Sequence, residues 1–235
     1  MRYALYHRDS YAREIDAAVV AVDGERVALD DTVFYAQGGG QPFDQGTLAW
    51  DGGEARVVEV RSEGGRVWHR LEGGAPPEGA AVRGTLDWER RFALMRAHTA
   101  LHILSGIIWR DLGAPVTGGG MEVGSARMDF ELEAMSADFA ERIQARLDEE
   151  VAADRPVEVR FLPRDEAFAI PDLIRTKVNL LPPGVDPVRV VEIVGLDVQA
   201  DGGTHVARTG EVGSVRVVGH QSKGRGNKRL RIQIW

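Results

Sequence analysis

Two hydrophobic periods divide this chain, and the change between them restricts its fold more than any other feature. Up to about residue 86 the apolar residues come in short runs broken by glycine. Val19-Val20-Ala21-Val22 and Arg26-Val27-Ala28-Leu29 flank Asp23-Gly24, a dipeptide suited to a tight hairpin turn. Further runs occur at Val57-Val58-Glu59-Val60 and Arg66-Val67-Trp68-His69, set apart by Gly52-Gly53, Gly64-Gly65 and Gly73-Gly74. Short strands at this spacing predict a small β-barrel. The Pro- and Gly-rich stretch Glu72–Gly79 predicts a loop, with a domain boundary just beyond it near Thr85. From Trp88 to Arg110 the period becomes helical, with Leu94, Ala97, Leu101, Leu104 and Ile108 on one stripe and Gly113 and Pro115 as the stop. A second helix is expected from near Ser136, with Phe139, Ile143, Leu147 and Val151 on one face and Pro156 after it. Strand patterns return at Val157–Phe161, Val188–Ile193, Val215–Val218 and Leu230–Ile234. The expectation is an α+β chain: a β-barrel over residues 1–86, then an α+β domain with a largely antiparallel sheet over residues 87–235.

Composition narrows the function classes. A chain of 235 residues that is 43% hydrophobic can bury one sizeable core or two modest ones. No apolar run approaches the roughly 20 residues needed to cross a bilayer, and the N-terminus lacks the apolar stretch of a signal peptide. The expected compartment is therefore the cytoplasm. The absence of cysteine excludes disulfides and thiolate ligands, so any metal site must use nitrogen and oxygen. A net charge of −7 argues against non-specific coating of nucleic acid. The segment Gln221–Trp235 nevertheless carries Lys223, Arg225, Lys228, Arg229 and Arg231 without an acid. Such a patch on an acidic body suits docking to one RNA feature; a solvated terminal strand is the competing reading.

Two short motifs carry metal chemistry. His98-Thr-Ala-Leu-His102 places two imidazoles four residues apart on a helix, on the same face and close enough to grip one ion. Asp201-Gly-Gly-Thr-His205 places a carboxylate and an imidazole around two glycines able to form a sharp loop. Taken singly, each motif also reads as ordinary structure: hydrogen-bonded helix histidines, or a turn with an Asp cap. Together they offer three imidazoles and a carboxylate, a donor set that zinc accepts.

The second motif continues as Val206-Ala207-Arg208-Thr209-Gly210-Glu211-Val212-Gly213. With His98-x-x-x-His102, the segment Ser222–Ile232 and Thr32-Val-Phe-Tyr-Ala-Gln-Gly-Gly-Gly-Gln-Pro42, it resembles the editing domain of alanyl-tRNA synthetase. The resemblance is closer still to the free-standing editing proteins of that family, called AlaX. These four separated motifs reach both ends of the chain, and the expectation is the free-standing form without an aminoacylation domain. The resemblance implies a zinc-dependent hydrolase that removes wrongly attached serine or glycine from tRNA(Ala), with Zn2+ held by His98, His102, Asp201 and His205. In the family a cysteine stands where this chain has Asp201; a carboxylate is a harder ligand, and it can either bind the metal or hydrogen-bond beside it.

The expected reaction is attack of water on an ester, for which zinc can activate water and polarise a carbonyl, or mainly position the substrate and its water. Serine must be told from the smaller alanine, so size exclusion fails and a polar group must read the hydroxyl. The resemblance places the Gly38-Gly39-Gly40-Gln41 loop beside the pocket, making Gln41 the expected reader, Thr32 its support, and Gly39 and Gly40 the close backbone. It likewise implies Lys223, Arg225, Lys228 and Arg229 as phosphate contacts. Two other classes stay open from sequence: a tRNA-binding module with weakened catalysis, and a metallohydrolase acting on a small ester or amide.

Overall fold

The computed structural model describes residues 3–134, 137–179, 181–224 and 226–235, with backbone alone at Ala137. The chain divides into two compact units, Arg2–Ala93 and Leu94–Trp235.

The first unit is a closed antiparallel barrel. After a single helical turn, α1 (Leu5–Arg8), come β1 (Glu14–Asp23), β2 (Arg26–Leu29), β3 (Gly46–Trp50), β4 (Gly53–Glu63), β5 (Arg66–Glu72) and β6 (Ala81–Leu86). Their order around the barrel is β1-β2-β5-β4-β3-β6. β1 closes it by serving two neighbours. Its first half pairs with β6, from Glu14 opposite Thr85 to Ala18 opposite Ala81. Its second half pairs with β2, ending at Asp23 opposite Arg26 across the expected Asp23-Gly24 turn. The interior is filled by Val27, Phe34, Leu48, Val60, Leu71 and their neighbours. Phe34 fits because two strand positions lack side chains: a Cβ on Gly84 would lie 2.9 Å from the Phe34 ring, and one on Gly46 would lie 3.0 Å from it. A fully buried ion pair, Arg91 with Asp44, ties the loops at one end. Asp44 Oδ2 accepts from Arg91 Nε at 2.9 Å and from the Tyr35 amide at 2.7 Å. The guanidinium also donates to the carbonyls of Ser10 (2.9 Å) and Val33 (2.6 Å).

The second unit is built around α2 (Trp88–Leu112), which begins within the first unit's residues. Around it lie β7 (Val116–Glu122), β8 (Ser125–Phe130), α3 (Ala137–Ala152), β9 (Val157–Leu162), α4 (Arg164–Phe168), β10 (Val188–Ile193), β11 (Asp197–Ala200), a 3-10 turn at Thr209–Val212, β12 (Val215–Ser222) and β13 (Lys228–Ile234). The expected antiparallel sheet is two sheets, β11-β10-β9 and β12-β13-β8-β7. The expected start of the second helix, Ser136, falls outside the described residues.

The character of α2 differs from the sequence expectation. Rather than one apolar stripe, every residue from Ala97 to Ile108 is buried. The residues between the large apolar ones are His98, Thr99, His102, Ser105 and Gly106, which a hydropathy period counts as polar or small. Gly106 has a spatial reason: a Cβ there would lie 2.9 Å from Leu196 and 3.0 Å from Asp197, so its absence lets the start of β11 close on the helix. The helix stops as expected, with Gly113 at φ +62° donating its amide to the Trp109 carbonyl at 2.8 Å. β7 and β8 lie outside the sequence expectation, since Gly118-Gly119-Gly120 gives β7 no strand propensity.

Candidate metal centre and recognition residues

The two metal motifs meet inside the second unit. α2 carries His98 and His102 on one face, with ring centroids 5.1 Å apart. The loop after β11 brings His205 onto both, at 4.3 Å from His98 in a stacked arrangement and 4.6 Å from His102. Asp201 enters the same space. His98, His102, Asp201 and His205 each offer one ligand atom, and these atoms all lie within 4.8 Å of one another. The three histidines are buried, each about 5% exposed or less.

The loop shape follows from local hydrogen bonds. The Asp201 backbone is clamped to β10, its amide donating to the Arg189 carbonyl at 3.2 Å and its carbonyl accepting from Arg189 Nη1 at 2.8 Å. The Gly203 amide donates to Asp201 Oδ2 at 2.6 Å, which folds the side chain back over the turn. His205 Nε2 then lies 3.0 Å from that same oxygen. His98 Nε2 is 3.6 Å and His102 Nε2 4.0 Å from the other carboxylate oxygen. All three Nε2 atoms therefore face one carboxylate. Two of the Nδ1 atoms are held from behind: His102 by Asp197 Oδ2 and His205 by Thr99 Oγ1, both at 3.1 Å. Thr99 Oγ1 also accepts from the Val206 amide at 3.3 Å.

Electrostatics favour neutral imidazoles at His98 and His205 facing an ionised acid, while His102 shifts the other way. Burial drives His98 well below its ordinary range, with the neighbouring histidines adding to the shift against Asp201. Burial likewise lowers His205 to about 4, against its hydrogen bond to Asp201. For Asp201 burial acts upward, but His98 and His205 outweigh it and hold the carboxyl well below the usual range. For His102 burial acts downward and is outweighed by Asp197 and Asp201, so its imidazole is raised. Three buried nitrogens and one half-buried carboxylate converge and can bind a metal ion.

The other expected site residues are placed as follows. In the barrel unit the Gly38 and Gln41 backbones bond to each other in both directions, at 3.2 and 2.8 Å, around Gly39 (φ +56°) and Gly40 (φ +84°). Two consecutive positive φ values are what a tight hairpin turn needs, hence the glycines. Gln41 and Thr32 are buried, whereas Gly39 and Gly40 are exposed. Thr32 Oγ1 lies 2.8 Å from His69 Nε2 and accepts from the Phe34 amide at 3.1 Å. Among the C-terminal cations, Lys223 is exposed. Lys228 is buried and donates to the Gly224 carbonyl at 3.0 Å. Arg229 forms a two-bonded pair with Asp129, at 2.6 and 2.7 Å. Arg225 lies outside the described residues. Sequence reasoning missed Thr99, Arg189 and Asp197. Only Thr99 carried a local signal, sitting inside the His98-to-His102 motif.

A barrel followed by an α+β unit with a buried His3Asp cluster defines a class. Residues 7–90 match the family model of class II (A) tRNA synthetases. Residues 188–231 match that of the threonyl and alanyl tRNA synthetase second additional domain. The alanyl-tRNA editing protein AlaX-M of Saccharolobus solfataricus is 39% identical over 233 residues, covering 98% of both chains. AlaX-M of Methanosarcina barkeri is 36% identical over 237 residues, again covering 98% of each. The alanine–tRNA ligase of Pyrobaculum neutrophilum is 41% identical over 224 residues, which is 25% of that enzyme. The chain belongs to the AlaX-M family of alanyl-tRNA editing proteins.

Proposed function

We propose that this protein is a trans-editing deacylase that hydrolyses the ester of mischarged tRNA(Ala), removing serine or glycine, and that it holds Zn2+ at His98, His102, Asp201 and His205. The carrying observation is the convergence of three buried Nε2 atoms on one carboxylate, in a chain that aligns end to end with editing proteins. When bound, zinc supplies Lewis acidity to an ester carbonyl and to water. The neutral state of His98 and His205 leaves their lone pairs available for ligation at neutral pH. The Asp201 carboxylate adds the one negative charge of the set. We place the protein in the cytoplasm; no helix among the described residues is long and apolar enough to cross a membrane.

Selectivity requires an atom that reads the seryl hydroxyl, because leaving a buried polar group unpaired is what disfavours alanine. Gln41 is the reader in this proposal and Thr32 its support, with Gly39 and Gly40 giving the backbone close approach. The barrel limits what Thr32 offers. His69 Nδ1 faces the Val27 carbonyl at 3.1 Å and so carries the ring proton. His69 Nε2 therefore accepts, and the Thr32 hydroxyl donates its only hydrogen to it. With one lone pair taken by the Phe34 amide, Thr32 can only accept from a substrate hydroxyl. Lys223, Arg225, Lys228 and Arg229 form the proposed phosphate contacts. In this reading Lys228 and Arg229 exchange their internal partners for phosphate.

The test is a deacylation assay on Ser-, Gly- and Ala-charged tRNA(Ala), with and without a chelator. The expected result is chelator-sensitive hydrolysis of the first two and sparing of the third. Inactivity on all three rejects the proposal. Gln41→Ala should lower serine clearance by about 10- to 100-fold at unchanged folding; undiminished clearance would remove Gln41 from the pocket.

A further inference from the structure

The far side of His102 faces a second carboxylate. Asp197, at the start of β11, is fully buried, and its Oδ2 lies 3.1 Å from His102 Nδ1. The same oxygen accepts from Gln199 Nε2 at 2.7 Å. A carboxylate in this position fixes the ring proton on Nδ1 and leaves the Nε2 lone pair aimed at the cluster. The approach depends on Gly106, where a Cβ would lie 3.0 Å from the Asp197 side chain.

The other side of Asp197 faces a buried cation. Asp197 Oδ1 makes no hydrogen bond, and neither do Arg175 Nε and Nη1, although all three atoms are shielded from solvent. Arg175 Nε stands 3.6 Å from Asp197 Oδ1, and the guanidinium lies 4.7 Å from the centre of the Trp109 ring. A buried arginine is costly without an anion, and Asp197 is its ion-pair partner here. The cation 3.6 Å behind it helps hold this carboxylate in place.

We propose that Asp197 and Arg175 are positioning residues that set the ligating orientation of His102, in the order Arg175, Asp197, His102. This rests on the reading of the cluster as a metal centre. Neither residue touches substrate; both act through His102.

The test is metal affinity, measured by competition with a chromophoric chelator, together with the visible absorption spectrum of the Co2+-loaded protein. Asp197→Asn keeps the volume but removes the charge. It should weaken Zn2+ binding by about 10- to 100-fold and change the Co2+ spectrum. Arg175→Met should act in the same direction by a smaller factor, and Arg175→Lys should restore most of the affinity. Thermal melts of the metal-free variants separate misfolding from loss of positioning; if Asp197→Asn does not fold, the Arg175 pair decides. Parental affinity and spectrum in a folded Asp197→Asn or Arg175→Met protein would overturn the proposal. A parent protein that binds neither Zn2+ nor Co2+ would overturn the metal reading itself, a distinct outcome.

Discussion

Both units bury charged and polar side chains, but they do so in opposite ways. In the barrel unit Arg91 and Asp44 are complementary: cation meets anion, and the guanidinium's remaining protons go to backbone carbonyls. His69 and Thr32 are complementary too, one accepting where the other donates. In the second unit three imidazoles are pressed together around one carboxylate, all presenting the same kind of atom. Groups that complement each other hold a fold together; nitrogens that converge on one carboxylate make a donor set that could bind a metal ion.

That contrast can be broken most forcefully at the cluster. His98→Ala and His205→Ala should each lower deacylation on the order of 10³-fold and abolish stoichiometric zinc binding, while thermal stability of the metal-free protein changes little. A variant that keeps its zinc would show that the histidine belongs with the structural pairs. Asp44→Ala should do the reverse. It strands a buried guanidinium and should cost about 3–5 kcal/mol in urea unfolding, with zinc affinity of the folded protein intact.

A pH titration sharpens the same comparison. Burial lowers His69 to about 4 from its ordinary 6.5, against the Val27 carbonyl. Between those values the unfolded chain binds the extra proton. The stability that neutral His69 contributes is therefore complete above pH 6.5 and declines as the pH falls toward 4. Its slope is at most about 1.4 kcal/mol per pH unit. His69→Gln should flatten the stability profile relative to the parent between pH 6.5 and 4, and an unchanged profile would count against a neutral buried His69. The smallest effect is expected at the exposed Lys223. Lys223→Ala should weaken tRNA binding about two- to threefold and reduce the slope of log affinity against log salt by about 1, without altering zinc content. An unchanged salt slope would take Lys223 off the phosphate path.

Much of the barrel was legible because hairpins are local: Asp23-Gly24 announces its own turn, and glycine pairs mark the next ones. The closing strands β3 and β6 were less so, because their pairing joins residues 46–50 to 82–86 and neither run alternates strongly. Of the candidate site, the proposed ligand residues were legible from helical spacing in one motif and from family resemblance in the other. The basic tail was legible as charge, but its state was not. Arg229 is paired with Asp129 on a strand a hundred residues away, and Lys228 is turned onto Gly224.

The sequence alone therefore determined which atoms could bind a metal: without cysteine, three histidines and an aspartate are the donors that two compact motifs supply. Only the tertiary structure decided that these four meet, that Asp201 presents its carboxylate to all three Nε2 atoms, and that Asp197 and Thr99 stand behind the rings. The physical reason is range. Spacing along one helix fixes His98 against His102, but Asp201 and His205 arrive from the loop after β11, about a hundred residues on. Their placement is set by the close approach of β11 to α2 at Gly106 and by the hydrogen bonds that tie Asp201 to β10.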